Sequence, residues 1–279
     1  MREGLPLILA AAAAVTAVVV ARSGPSRESV LPLSRTVADH EKGLDRASAV
    51  AFPLSPEEER KIGADMARAI TVAPAVAGST AAVHEAQWRE AAGEAARSPL
   101  VKRFAGQYEF RVVQEYSPNA FALPGGFVFA TSSLLDKIGG DFDALMFVAG
   151  HEIGHIELGH TADAYRLRSG HDPVTAVFGG VLSIPRLFAE LHFSQTQELE
   201  ADAYAAAVMR SRGHDPRAGL RVFDALGIPK DANTKRDPAE IAVEGLSDYF
   251  RTHPGGWERR AALERAIGSQ HSNLGSAAQ

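Results

Sequence analysis

Apolar residues recur with helical spacing along most of the chain and alternate in strand fashion only between residues 108 and 116. Residues 121–130 continue the strand pattern, but a Pro-Gly-Gly sequence interrupts them and predicts a hairpin or bulge. The pattern therefore predicts an α+β fold that is mainly helical, with a small β-sheet beside a strongly apolar helix. Helices are predicted near residues 56–70, 82–97, 141–160, 161–168, 195–212 and 257–267, with further helical signals from 132.

The ends of the chain differ from its centre. Residues 1–21 are mostly apolar and predict a signal peptide or an N-terminal membrane anchor, and residues 22–55 a linker or surface strap. A domain is expected over residues 56–267 and a flexible tail over 268–279. Residues 174–193 form a second apolar stretch that glycines and charges interrupt, which predicts a buried helical hairpin or a lid at the membrane surface.

Charge and composition limit the possible partners and the possible types of reactive site. The net charge of −5 gives no reason to expect nucleic acid as a partner. The absence of cysteine excludes disulfides, a thiolate nucleophile and a lipid-attachment cysteine. Histidine and carboxylate side chains remain as metal ligands, a donor set that suits zinc.

The apolar helix carries the sequence HEIGH, an HExxH motif. His151 and His155 lie at i and i+4, so both imidazoles leave one face and can converge on one metal ion. Glu152 follows the first histidine and can take a proton from water at the metal. A helix with surface histidines is the alternative, but the motif is embedded in apolar residues.

The helix predicted at 195–212 contains a second group of candidates. Glu198 and Asp202 share a face, whereas Glu200 is rotated by about 200° and should point away. One carboxylate of the pair is expected to complete the metal site and the other to orient a histidine. Spacing alone also fits a solvated acidic face.

Four sequences stand out together: NAFALPGG (119–126), HEIGHIELGH (151–160), ELEAD (198–202) and THPGGWER (252–259). This combination resembles the HtpX and CAAX prenyl protease family of zinc metallopeptidases, and within it the periplasmic branch of the BepA and LoiP kind. The resemblance implies a zincin-like domain that binds one Zn²⁺ per chain through His151, His155 and Glu198. It also implies Glu152 as general base, Asp202 behind the ligands, and His253 and Arg259 as catalytic residues near the active site. His160 is expected to end the helix rather than to bind metal.

The function that follows is zinc-dependent hydrolysis of peptide bonds in misfolded or membrane-associated proteins of the cell envelope, as quality control. The catalytic domain is expected in the periplasm, and membrane contact through residues 1–21 if they are not cleaved. His253 could instead occupy the open zinc position and hold the enzyme latent. The alternative hypotheses are a chaperone-like or latent binding protein with little proteolysis, and a helical domain without metal. The sequence does not indicate the oligomeric state. Substrate is expected to lie extended along Asn119, Ala120, Phe121 and Ala122, with Gly125 and Gly126 leaving room for its backbone.

Overall fold

The computed structural model describes residues 54–72, 75–169, 193–231, 249 and 252–275. The predictions for residues 1–53 and 174–192 lie outside these residues. The predicted α+β fold, mainly helical with a small sheet, is confirmed. The elements are α1 (Pro56–Ala69), α2 (Thr80–Ala96), β1 (Glu109–Val113), β2 (Ala120–Leu123), β3 (Phe127–Thr131), α3 (Ser132–Ile138), α4 (Phe142–Glu157), α5 (His160–Ser169), α6 (Gln195–Ser211), α7 (Ala218–Ala225) and α8 (Trp257–Gly275).

The sheet has the strand order β1-β3-β2. Strand β3 pairs parallel to β1 and antiparallel to β2, with Phe121 opposite Phe129. The predicted hairpin is present, and Gly125 and Gly126 close it with φ angles of 79° and 96° that favour glycine. Strand β2 is therefore at an edge of the sheet, next to helix α4.

Helix α4 lies at the centre of the fold and is buried on nearly every side. Asp141 caps it, since its Oδ1 accepts a hydrogen bond of 3.1 Å from the backbone N–H of Ala144. Helix α6 packs closely against it: a Cβ added at Gly150 would lie 3.3 Å from the Cα of Ala205. Small residues on both helices thus bring the HExxH motif and the acidic motif together.

The helices differ from the prediction in three ways. Helix α4 ends at Glu157 and α5 begins at His160, because Gly159 between them has a left-handed φ of 83°. Helix α7 was not predicted, since its single short apolar face gives a weak periodic signal. Helix α8 runs beyond the predicted end at 267 to Gly275, into the segment predicted as a flexible tail.

In the described part of the chain, no helix has both the length and the apolar character needed to cross a membrane.

Candidate metal centre

Four buried side chains converge at the centre of the fold. Helix α4 supplies His151 and His155, helix α6 supplies Glu198, and the segment before α8 supplies His253. One donor atom from each lies within 4.8 Å of the other three. The structure therefore brings together the three predicted zinc ligands and a fourth donor, His253.

Several of the donor atoms are as close to one another as neighbouring ligands of one metal ion. His155 Nε2 is 3.1 Å from His151 Nε2 and 3.3 Å from Glu198 Oε1. His253 Nδ1 is 3.4 Å from His151 Nε2 and 3.3 Å from each Glu198 oxygen. Zinc with ligands at about 2.0–2.1 Å in tetrahedral geometry separates its donors by roughly 3.3 Å, so the cluster has the dimensions of a zinc site.

Hydrogen bonds outside the cluster determine where the protons are. The Nε2 atom of His253 lies 3.1 Å from the carbonyl oxygen of Ala120, which can only accept, so Nε2 carries a proton. The Nδ1 atom is then the nitrogen of His253 that can present a lone pair to a metal ion in the cluster. The carboxylate of Glu198 is also an acceptor. Converging acceptor atoms repel one another unless a cation lies between them, and a divalent metal ion satisfies all of them at once.

Burial and neighbouring charges shift the pKa values of the ligands. Burial would raise the pKa of Glu198, but His253 and Arg259 hold it well below its usual range. Burial lowers the pKa of His155 well below its usual range, so its imidazole is neutral, the form that binds metal. Burial acts in the same direction on His151, but the neighbouring carboxylates of Asp202 and Glu198 outweigh it and raise the pKa of His151 to about 9.

Arg259 and Asp202 lie directly behind the ligands. Arg259 donates from Nε and Nη2 to the two oxygens of Asp202, at 2.8 and 2.7 Å. Its Nη1 forms an ion pair with Glu198 Oε2 at 2.8 Å, outside hydrogen-bond geometry. Asp202 Oδ1 is also 2.9 Å from His151 Nδ1. Both residues are therefore placed to hold ligands in position.

Glu152 points into the same space. It is buried, and burial raises the pKa of its carboxyl group. Its Oε1 is 3.6 Å from His253 Nε2, and its Oε2 has no hydrogen-bond partner within the described residues. A buried carboxylate oxygen without a protein partner, beside a metal-binding cluster, fits a general base whose partner is water or substrate.

The residues predicted to bind substrate divide into two groups. Asn119 and Ala120 contact the segment that carries His253, since the Asn119 side chain amide donates to Thr252 Oγ1 at 3.3 Å. Ala122 is buried in the main core, and Phe121 stacks on Phe129 in a second core cluster. These four residues form or adjoin the edge strand, as predicted.

Gly125 and Gly126, at the turn of the hairpin, lie close to Arg60 of helix α1. A Cβ added at Gly125 would lie 2.4 Å from the Cα of Arg60 on helix α1. Arg60 also donates to the Gly125 carbonyl oxygen at 2.7 Å. The space on the Cβ side of Gly125 is thus filled by helix α1. A role of these two glycines in substrate binding stays a prediction.

Sequence reasoning missed two residues that reach the metal centre. His160 begins helix α5, and its Nδ1 lies 3.0 Å from His155 Nδ1. Glu200 was expected to point away from the site, but its Oε2 lies 3.1 Å from His160 Nε2. Both residues stand within the two motifs and could have been noticed as candidates there. Their pairing was not predictable from the sequence, because it depends on how α5 packs against α6.

Comparison with known proteins agrees with this geometry. The profile of peptidase family M48 matches residues 83–267 of the 279-residue chain. The chain belongs to peptidase family M48. The resemblance predicted from the four motifs is therefore confirmed.

Individual M48 relatives match about half of the chain. A mitochondrial metalloendopeptidase OMA1 of Arabidopsis thaliana is 30% identical over 57% of the chain and 31% of its own length. Metalloprotease LoiP of Escherichia coli is 28% identical over 54% of the chain and 59% of its own length. Metalloprotease YcaL of Escherichia coli is 24% identical over 57% of the chain and 62% of its own length. The chain thus spans less than two thirds of each of these relatives.

Proposed function

We propose that the protein is a zinc-dependent endopeptidase that hydrolyses polypeptides. The observation that supports this most directly is the convergence of His151, His155 and Glu198 beside a Glu152 oxygen that has no hydrogen-bond partner in the described part of the chain. The family match and the metalloprotease relatives support the same reaction class. Misfolded or membrane-associated proteins of the cell envelope are the proposed substrates, and the apolar segment at residues 1–21 supports that location.

Each residue has a distinct role in the proposed reaction. A zinc ion in this site would supply Lewis acidity, polarising a peptide carbonyl and making water acidic near neutral pH. Glu152 takes the proton from the attacking water and passes it to the leaving nitrogen. Asp202 and Arg259 keep His151 and Glu198 in position. In this arrangement Arg259 supports the ligands rather than touching the reacting atoms.

Substrate is proposed to lie along the edge of β2. The carbonyl oxygen of Ala120 is an acceptor at that edge, and an extended peptide uses such groups to extend a sheet. Beside it, a cavity is lined by Glu152, His151 and Arg259 together with apolar side chains. The apolar lining residues are Leu134, Phe147, Val148, Val222, Phe223 and Leu226.

His253 holds the site in a latent arrangement in this proposal. Its Nδ1 is the fourth donor of the cluster, beside the three predicted ligands of a catalytic site that would otherwise keep an open position. Its Nε2–H is bonded to the Ala120 carbonyl, which the substrate backbone would need. One side chain therefore blocks both the metal and the edge strand, and proteolysis requires it to move.

The proposed function is tested with Glu152→Gln in the full 279-residue chain. This variant preserves the size of the side chain and leaves the ligands intact, so we expect it to bind about one zinc per chain, as the unchanged protein does. Casein hydrolysis should fall by a factor of roughly 10² to 10⁴, the usual contribution of a general base. Exposed Glu90 on α2 provides the matched control, and Glu90→Gln should leave both properties unchanged. Unchanged casein hydrolysis by Glu152→Gln would refute the assignment.

The latent arrangement is tested with His253→Ala. We expect faster casein hydrolysis than in the unchanged protein, with zinc still bound by the other three ligands. If His253 instead assists the reaction, as the family resemblance implies, hydrolysis will fall while zinc content stays the same. A fall in hydrolysis would therefore remove the latent arrangement from the proposal and leave the peptidase assignment standing.

A further inference from the structure

We propose that His160 and Glu200 are positioning residues for the metal ligand His155, an inference that rests on the proposed zinc site. Glu200, His160 and His155 form a hydrogen-bonded series from the protein surface to the donor cluster. The series fixes which nitrogen of His155 binds the metal and in which plane its ring lies.

The geometry of the series is continuous. His155 Nδ1 and His160 Nδ1 are 3.0 Å apart, and His160 Nε2 and Glu200 Oε2 are 3.1 Å apart. His155 and His160 are buried, whereas the side chain of Glu200 is 43% exposed. The carboxylate charge thus stays in contact with water while its effect reaches a fully buried ligand.

Only one arrangement of protons satisfies this series when a metal is bound. Metal binding requires a lone pair on His155 Nε2, so the ring proton is on Nδ1. His155 Nδ1–H then donates to His160 Nδ1, and the remaining proton of neutral His160 is on Nε2. That N–H donates to the Glu200 carboxylate, which can only accept. Glu200 therefore selects the metal-binding tautomer of His155 through His160.

The ring of His155 is also held from its face. Phe193 stacks on it with a centroid distance of 3.7 Å and an interplanar angle of 15°. Stacking limits tilting of the ring, and the hydrogen bond to His160 limits its rotation within the plane. Together these contacts direct Nε2 at the metal position before the ion arrives.

The two motif histidines are supported in different ways. Asp202 Oδ1 lies 2.9 Å from His151 Nδ1, but away from the direction of a well-formed hydrogen bond. His155 has the aligned partner and reaches its carboxylate through a second imidazole. Helix α6 supplies both carboxylates and the ligand Glu198, so one helix controls the orientation of all three predicted ligands.

The test measures zinc affinity rather than activity. In the full chain, His160→Phe keeps a ring of similar size but removes the acceptor for His155 Nδ1–H. We expect zinc to bind 10 to 100 times more weakly in chelator competition, the usual effect of losing such a partner. His160→Gln retains an acceptor oxygen and should recover part of the affinity. Glu200→Gln retains an acceptor but no charge, and should weaken zinc by a smaller factor.

Two further measurements separate positioning from general stability. Nitrogen-15 spectra of zinc-loaded protein should show the Nδ1–H tautomer of His155 and should show it altered in His160→Phe. His214 follows helix α6 and contacts Asp143 at the start of α4. The variant His214→Phe is therefore a control that removes another histidine in contact with α4, and we expect it to bind zinc as tightly as the unchanged protein.

The outcomes distinguish this inference from the proposed function. Zinc binding by His160→Phe and Glu200→Gln as tight as in the unchanged chain would overturn the positioning role and leave the peptidase assignment intact. A loss of melting temperature in chelator with no loss of zinc affinity would show a structural role only and also overturn it. Failure of the unchanged chain to bind zinc would overturn both proposals.

Discussion

Replacing Arg259 by methionine is expected to destabilise the protein far more than the same change at the adjacent Arg260. Arg259 is 1% exposed and pairs with two carboxylates that are themselves buried, Asp202 and Glu198. Removing it leaves their charges in a region that water does not reach. Breaking a buried pair in this way costs about 3–5 kcal/mol. That loss is a large part of a total stability of about 5–15 kcal/mol.

Arg260 is a close internal control. It is 4% exposed, and its guanidinium lies 6.0 Å from the Phe223 ring, compared with 5.3 Å for Arg259. Its partner Asp224, however, is 54% exposed. When Arg260 is removed, Asp224 is hydrated by solvent, so we expect the lost ion pair to cost about 1 kcal/mol or less.

Urea unfolding in the presence of a chelator measures the difference without a contribution from metal. With a urea dependence of about 3 kcal/mol/M, Arg259→Met should lower the midpoint by about 1 to 2 M. Arg260→Met should lower the midpoint by only about 0.3 M or less. Equal midpoints for the two variants would refute the view that burial of the partner carboxylates makes Arg259 essential to the fold.

Two smaller changes test packing and capping. A Cβ at Gly63 would lie 1.8 Å from the Pro124 carbonyl oxygen, so Gly63→Ala should destabilise the protein by about 2 kcal/mol or more. Helix propensity alone would make the same change stabilising by about 1 kcal/mol. A gain in melting temperature would therefore contradict the close packing of α1 on the hairpin. The pKa of Asp141 is lowered by its hydrogen bond from Arg221, so Asp141 stabilises the fold above its ordinary pKa near 3.8 and loses this contribution as the pH falls below it. Asp141→Asn should therefore be less stable than the unchanged protein at pH 7, by about 1 kcal/mol at most because the pair is partly exposed. The difference should shrink as the pH falls through the lowered pKa of Asp141, and a difference that stays constant would exclude the charge as its cause.

The sequence by itself determined the elements that carry the chemistry. The spacing of His151 and His155 is a property of any α-helix, and the four-residue separation of Glu198 and Asp202 is another. Local signals of this kind depend only on neighbours along the chain, so they can be read without the fold. The family resemblance added His253 and Arg259, which lie more than 50 residues beyond Glu198 along the chain.

The tertiary structure decided which side chains work together. Gly125 and Gly126 have the glycine conformations that their sequence predicts, and only the fold shows that the Cβ side of Gly125 faces helix α1. Glu200 leaves helix α6 on the side opposite Glu198, as the helical geometry requires, and nevertheless reaches the metal centre. It does so because the turn at Gly159 starts a new helix whose first residue, His160, lies between Glu200 and His155. Periodicity fixes the direction of a side chain relative to its own helix, whereas its partner depends on packing between elements distant in the chain.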